Sequence, residues 1–305
     1  MDFELKILGS SSATPSANRH HTAQVLSIGN QHHLIDCGEG TQMQLMLYKI
    51  KHQRISNIYI SHLHGDHYFG LAGLISTMHL QGRHAPLHLF GPPGLSEILS
   101  LQLKYSGTNL NYPLVFHELD TTCHKKIFED KQLTVHSIPM EHRVPCCGFL
   151  FREKLKPRPL LKDKLPPNLT PPQLVRLKWA EDIKDEQGNV LVSYSDVTGE
   201  PKRSRSYAYC ADSRYKPDII PIVQHVDLLY HEATFLDDLR DRAAYTFHST
   251  ASQAAEIAVQ AKAKKLLLGH FSVRYKDLNP LLEEAKQIFS NADLAVEGST
   301  FIVEE

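Results

Sequence analysis

Six consecutive residues, His62-Leu63-His64-Gly65-Asp66-His67, constrain this chain more than any others. They place three imidazoles and a carboxylate directly after the apolar run Ile58-Tyr59-Ile60, which reads as a buried strand because β-branched and aromatic residues fill it. On an extended exit from that strand His62 and His64 point to one side, since strand side chains alternate with a period of two. Gly65 is expected to allow a sharp turn that returns Asp66 and His67 to the same pocket. Neutral imidazole and carboxylate are the usual zinc ligands, so the run suits two metal ions held close together, with no cysteine needed.

The rest of the chain supplies a scaffold for such a site. Phe3 to Leu8, Ala23 to Ile28 and His33 to Asp36 read as strands, followed by a helix over 41–48. Leu71 to Ile75 opens a helix, and 93–105 reads as another, with Leu95, Ile98, Leu99 and Gln102 at helical spacing. Further strands are expected at 87–90, 114–118, 133–138, 207–211, 228–231, 266–268 and 301–303, with helices at 251–263 and 280–289. Thr250 and Gln253 fit a capping box at the start of the first of these two helices. This alternation predicts an α/β (α+β) fold in one domain spanning residues 1–305.

Residues 153–205 differ in style. They hold seven prolines and few periodic apolar runs, and residues 152–205 carry 12 Lys and Arg against 8 Asp and Glu. An arm inserted into the domain is expected, since so short and polar a segment struggles to bury a core of its own. The whole chain has a net charge of −1, so a nucleic-acid partner has to be met by a local basic patch. No apolar run approaches the roughly 20 residues that span a bilayer. The acidic start Met1-Asp2-Phe3-Glu4 enters a strand and does not read as a secretory signal. Five cysteines without a CxxC pair suit reduced thiols in the cytoplasm.

Three more candidate ligands each follow a strand-like segment: His142, Asp212 and His270. One such residue alone is commonly a cap or a solvated group. Their repeated placement at strand ends, beside the six-residue run, favours ligation, because a sheet holds them rigidly while loops leave the metals open to substrate.

With these residues the chain resembles the metallo-β-lactamase fold and, more narrowly, the ribonuclease Z family of tRNA 3′ endonucleases. The narrower resemblance rests on His231-Glu232-Ala233-Thr234, His248-Ser249-Thr250, Gly269 to Tyr275 and Phe90 to Leu95. It implies a four-layer αββα sandwich with a protruding arm, usually a homodimer, and precursor tRNA as partner. It also implies two Zn2+ ions per chain. His62, His64 and His142 would hold one, Asp66, His67 and His270 the other, and Asp212 would bridge them. Asp66 would orient the attacking water and accept its proton. His248 would protonate the leaving 3′ oxygen with Glu232 on its other ring nitrogen. Ser272 and Arg274, and Arg19 in the early loop, are candidate phosphate contacts.

Two segments differ from the family pattern. Pro15-Ser16-Ala17-Asn18-Arg19-His20 has alanine where the family carries a lysine, and Asn168 to Gln173 lacks the glycine of the arm's exosite pattern. Two other functions are therefore kept beside tRNA cleavage: hydrolysis of small phosphodiesters or aryl sulfates at the same site, and non-catalytic RNA binding.

Overall fold

The computed structural model describes residues 3–304, so the acidic Met1-Asp2 start lies outside them. In chain order, β1 (Phe3–Gly9), β2 (Ala23–Ile28) and β3 (Gln31–Ile35) form an antiparallel meander. Then α1 (Thr41–Leu47) leads to β4 (Ile55–Tyr59), α2 (Gly65–Tyr68) and α3 (Leu71–Leu80) to β5 (Leu87–Gly91), and α4 (Leu95–Tyr105) to β6 (Leu114–Glu118). Strands β3 to β6 pair in parallel, as helical crossovers require.

The second half opens with an antiparallel run, β7 (Lys126–Glu129), β8 (Leu133–Pro139) and β9 (Cys147–Glu153). A segment holding α5 (Pro171–Lys178), the short pair β10 (Ile183–Lys184) and β11 (Val190–Val192), and α6 (Tyr194–Val197) follows. After it come β12 (Ser206–Cys210), β13 (Leu228–Glu232), α7 (Arg240–Thr246), α8 (Ala251–Gln260), β14 (Lys265–Gly269), α9 (Asn279–Ile288), β15 (Ala292–Leu294) and β16 (Thr300–Ile302). The result is two seven-stranded sheets, ordered β16-β1-β2-β3-β4-β5-β6 and β15-β14-β13-β12-β9-β8-β7.

The alternation of side chains explains the layering. Phe3, Leu5, Ile7, Leu26 and Ile28 point between the sheets, where they meet Phe149, Phe151 and Tyr207. Val25, Leu34, Ile58, Leu87 and Leu89 instead meet Leu45, Leu71, Leu74, Met78 and Leu99 from α1, α3 and α4. On the far side, the alanine stripe of α8 (Ala251, Ala254, Ala255, Ala258) packs with Leu281 and Ala285 of α9 in the main core. Four layers, αββα, result. The parallel strands β12 and β13 are buried along their whole length, which is why their sequences show no alternation of apolar and polar residues.

Three strands of the two large sheets escaped the sequence reading, as did the short β10–β11 pair. β9 is buried from Cys147 to Phe151 and therefore shows no alternation there, β7 is a partly exposed edge strand, and β15 is three residues long. The helix expected from Pro93 begins at Leu95, because Gly94 takes a left-handed φ of 93° and ends the preceding turn. The helix expected to reach residue 263 stops at Gln260, and its Thr250–Gln253 capping box forms.

Between β9 and β12 the chain leaves the sandwich. Leu177, Ile183 and Val197 are buried there in a small cluster with Leu160, Leu165, Leu169, Val192 and Tyr194 around them. The segment Asn168 to Gln173 starts α5, with Thr170 and Gln173 making a reciprocal capping box. At the root, Glu153 and Arg205 form a buried bidentate ion pair, which holds the two chain passages together.

Candidate active site

The site is assembled from strand ends. His62 and His64 follow β4, His142 follows β8, Asp212 follows β12, and His270 follows β14. His64 is extended (φ −78°, ψ 144°) and caps α2, so the chain turns into a helix that brings Asp66 and His67 inward. Gly65 contributes space to this turn: its φ is not left-handed, and a Cβ there would lie 2.3 Å from the Phe69 ring. The conformational role expected of it is thus replaced by a steric one.

Seven side chains converge in two groups. In the first, His64 Nδ1 lies 3.0 Å from His62 Nε2 and 3.1 Å from His142 Nε2. In the second, His270 Nε2 lies 3.4 Å from His67 Nε2 and 3.3 Å from Asp66 Oδ2. Asp212 stands between them. Its Oδ2 faces His62 and His142 at 3.8 and 3.9 Å, and its Oδ1 faces His67 and His270 at 3.5 and 3.2 Å.

The chemistry of this donor set fits divalent metals. His67 gives its Nδ1–H to Asp36 Oδ2 (2.7 Å), and His142 gives its own to the Phe247 carbonyl (3.0 Å). His62 Nδ1 lies 3.0 Å from Ser61 Oγ, and His270 Nδ1 lies 3.0 Å from Thr234 Oγ1. Those two hydroxyls donate onward to Asp36 and Glu232, so they accept from the imidazoles. Each of the four rings therefore spends Nδ1 on an outer acceptor and aims Nε2 at the cluster, the arrangement that ligation needs. Asp212 Oδ1 is buried without a hydrogen-bond partner, a costly state that a cation would relieve. Burial holds His62, His64 and His142 below the ordinary histidine range, which favours the neutral ligand form.

Glu232 and His248 form a separate pair. Glu232 ends β13 fully buried and accepts from Ser213 N, Thr234 N and Thr234 Oγ1. Its Oε1 also lies 2.9 Å from His248 Nδ1. Burial disfavours charge on His248, but the Glu232 carboxylate and its hydrogen bond prevail and push the imidazole up to about 9. His248 lines a cavity of about 370 Å3 together with His64, Asp66, His142, Asp212 and His270. His231, its neighbour in sequence to Glu232, is buried and bonds the Glu232 carbonyl instead.

The candidate phosphate contacts divide. Ser272 and Arg274 line the cavity. Arg19 does not: its Nη2 donates to the Ser272 carbonyl at 3.3 Å, tying the early loop to the segment after His270. Two important residues were missed by sequence reasoning. Asp36 anchors His67, Ser61 and Tyr209 (2.7, 2.7 and 2.5 Å) from a left-handed φ of 54°, and Thr234 links Glu232 to His270. An acidic residue closing the apolar run Leu34-Ile35 was the available signal for Asp36.

Known proteins share this architecture. The ribonuclease Z of Cytophaga hutchinsonii is 52% identical over all of this chain and 97% of its own length. The crystal structure of human tRNase Z, short form, superposes with a TM-score of 0.73 at 28% identity, covering 99% of this chain and all of that one. The Bacillus subtilis metallo-beta-lactamase fold protein YhfI gives 0.70 at 19% identity, covering 99% of this chain and all of its own, a likeness of fold. Residues 3–156, the half with the six-residue run, also fall within the family described as Anti-Pycsar protein Apyc1. Matched end to end at such identity, on a metallo-β-lactamase fold, the chain belongs to the ribonuclease Z family.

Proposed function

We propose that this protein hydrolyses the phosphodiester at the 3′ end of precursor tRNA and so removes the 3′ trailer, using two zinc ions. One observation carries the reading: two ligand groups share Asp212 at one cavity that His248, backed by the buried Glu232, also lines, in a member of the ribonuclease Z family. His62, His64 and His142 would hold one ion, Asp66, His67 and His270 the other, and Asp212 both. Bound there, the metals would acidify a water and neutralise charge building on the phosphoryl oxygens.

The protein's own groups supply the rest. Asp66, at the cavity wall, orients the attacking water and takes up its proton. The water oxygen bonds to phosphorus in line with the ribose 3′ oxygen, and the P–O3′ bond breaks. His248, its Nδ1–H held by Glu232, gives the Nε2 proton to that departing oxygen. The tRNA then ends in a 3′ hydroxyl and the trailer keeps the phosphate.

The arm over residues 153–205 serves as the tRNA grip in this reading, with Lys154, Lys156, Arg158, Lys162 and Lys164 following the RNA backbone. A homodimer is proposed through Met43, Met46, Leu47 and Phe69, exposed apolar side chains on and beside α1 and α3. The two helices are adjacent there, since Gln42 accepts from Thr77. A cytoplasmic location suits tRNA processing and the five free thiols, and no helix among the described residues is long and apolar enough to cross a membrane.

The test is cleavage of a precursor tRNA bearing a 3′ trailer by zinc-loaded protein, with Asp66→Ala as control. A cut at the trailer junction that the control loses is expected. Fully metallated protein that leaves the precursor intact but rapidly hydrolyses a small phosphodiester would overturn the tRNA reading.

A further inference from the structure

Three guanidiniums surround the cavity without a carboxylate partner among the described residues: Arg143, Arg242 and Arg274. Arg143 and Arg242 share one wall. Arg242 and Thr246 stand one turn apart on α7, joined by a bond from Thr246 Oγ1 to the Arg242 carbonyl, and both face the cavity. Arg143 follows His142 and is held against the same helix end. Its guanidinium lies 6.0 Å from the Tyr245 ring centre and 5.9 Å from that of Phe247, with Nη2 bonded to the Tyr245 carbonyl at 3.4 Å. Arg274 stands elsewhere, beyond His270, beside the Ser12 loop that bonds Phe271.

A phosphoryl group attacked in line has its incoming and leaving oxygens on opposite sides, so the RNA strand has to cross the cavity. Under the reading above, which this inference rests on, His248 protonates the leaving 3′ oxygen. His248 directly follows α7 and Phe247, so the strand that ends in that oxygen approaches along the α7 wall.

We infer that Arg143 and Arg242 grip backbone phosphates on the tRNA side of the cut, while Arg274 grips the trailer side. A guanidinium suits this task, since it meets a phosphate with two parallel hydrogen bonds. The Tyr245 and Phe247 rings beside it and the bond to the Tyr245 carbonyl keep Arg143 in place before RNA arrives. The cavity thereby reads strand polarity: a trailer entering from the α7 wall would present its phosphate linkage in reverse to His248.

Fluorescence anisotropy separates the two walls with two labelled probes, mature tRNA ending at the cut and a trailer oligonucleotide with a 5′ phosphate. Arg143→Ala and Arg242→Ala are each expected to weaken mature tRNA about 10-fold and to lower its salt slope by about one, leaving the trailer oligonucleotide bound as by wild type. Arg274→Ala is expected to do the reverse. Arg143→Lys and Arg242→Lys keep the charge and should retain the slope at a smaller loss, which gives a reading even if an alanine variant fails to fold. Loss of trailer affinity in the Arg143 or Arg242 variants, or unmoved mature-tRNA affinity, overturns the assignment alone. Wild-type protein that cuts no precursor tRNA overturns the function and the assignment together.

Discussion

The strand-end site and the arm are both rich in charge, yet the fold treats that charge in opposite ways. At the site, Glu232, Asp36 and Asp212 are buried, and Glu232 and Asp36 meet donors from several elements at 2.5–3.2 Å. On the arm, Arg176 and Glu181 pair in the open (51% and 59% exposed), and Arg158 reaches the exposed Glu200. The contrast teaches where rigidity comes from. A carboxylate removed from water has to be surrounded, and the surrounding groups then fix the rings that touch it. A solvated pair imposes no such order, which suits a surface that meets a flexible polymer.

The largest break of this contrast is at the Glu232–His248 pair, under the catalytic role proposed for it. His248→Ala should lower cleavage by about 10²–10⁴-fold while the metal content stays that of the wild type, measured by single-turnover cleavage with metal analysis. Retained metal with unchanged turnover would remove His248 from the chemistry.

A second break uses proton uptake inside the sandwich. His33 is buried among Tyr59, Phe128 and Phe151, and that burial pulls its imidazole down to about 4. The folded state therefore resists a proton that the unfolded chain accepts near 6.5. Its share of stability is present above that pH and is lost as pH falls toward 4, up to about 3 kcal/mol at 1.36 kcal/mol per unit. Urea unfolding from pH 7 to 4.5 should show a loss of stability in wild type that is smaller in His33→Gln by roughly 2 kcal/mol.

Asp36→Asn sharpens the comparison at the second ligand group. It leaves the fold's packing in place but weakens the anchor on His67, so zinc affinity should fall about 10–100-fold by chelator competition. Unmoved affinity would mean that His67 is held by packing alone. The smallest effect belongs to the arm: Arg176→Ala should change unfolding free energy by no more than about 1 kcal/mol. A larger loss would show that the arm's surface pairs carry its structure.

Much of this molecule is legible in the chain. Strands such as 3–8 and the capped helix from Ala251 announce themselves because alternation, helical stripes and caps are local effects. β9 is hidden for the converse reason, since Cys147-Gly148-Phe149-Leu150-Phe151 is buried on both faces and has no local period. The ligand candidates stand out because four of them crowd into six residues. Asp36 and Thr234 do not, because each matters only through a ring from a distant element, His67 and His270 respectively.

By itself the sequence determined the α/β alternation and most strands of the two large sheets, the six-residue run and its extended entry, and the polar, proline-rich character of residues 153–205. Those properties depend on neighbours within a few positions. Only the tertiary structure decided that His142, Asp212, His248 and His270 meet at one cavity with Glu232 buried behind His248, that Asp36 and Thr234 take up the Nδ1 atoms of His67 and His270, and that Arg19 ties two loops while Arg143 and Arg242 face the cavity. These depend on where two sheets bring strand ends together, and that is set by packing summed over the whole core.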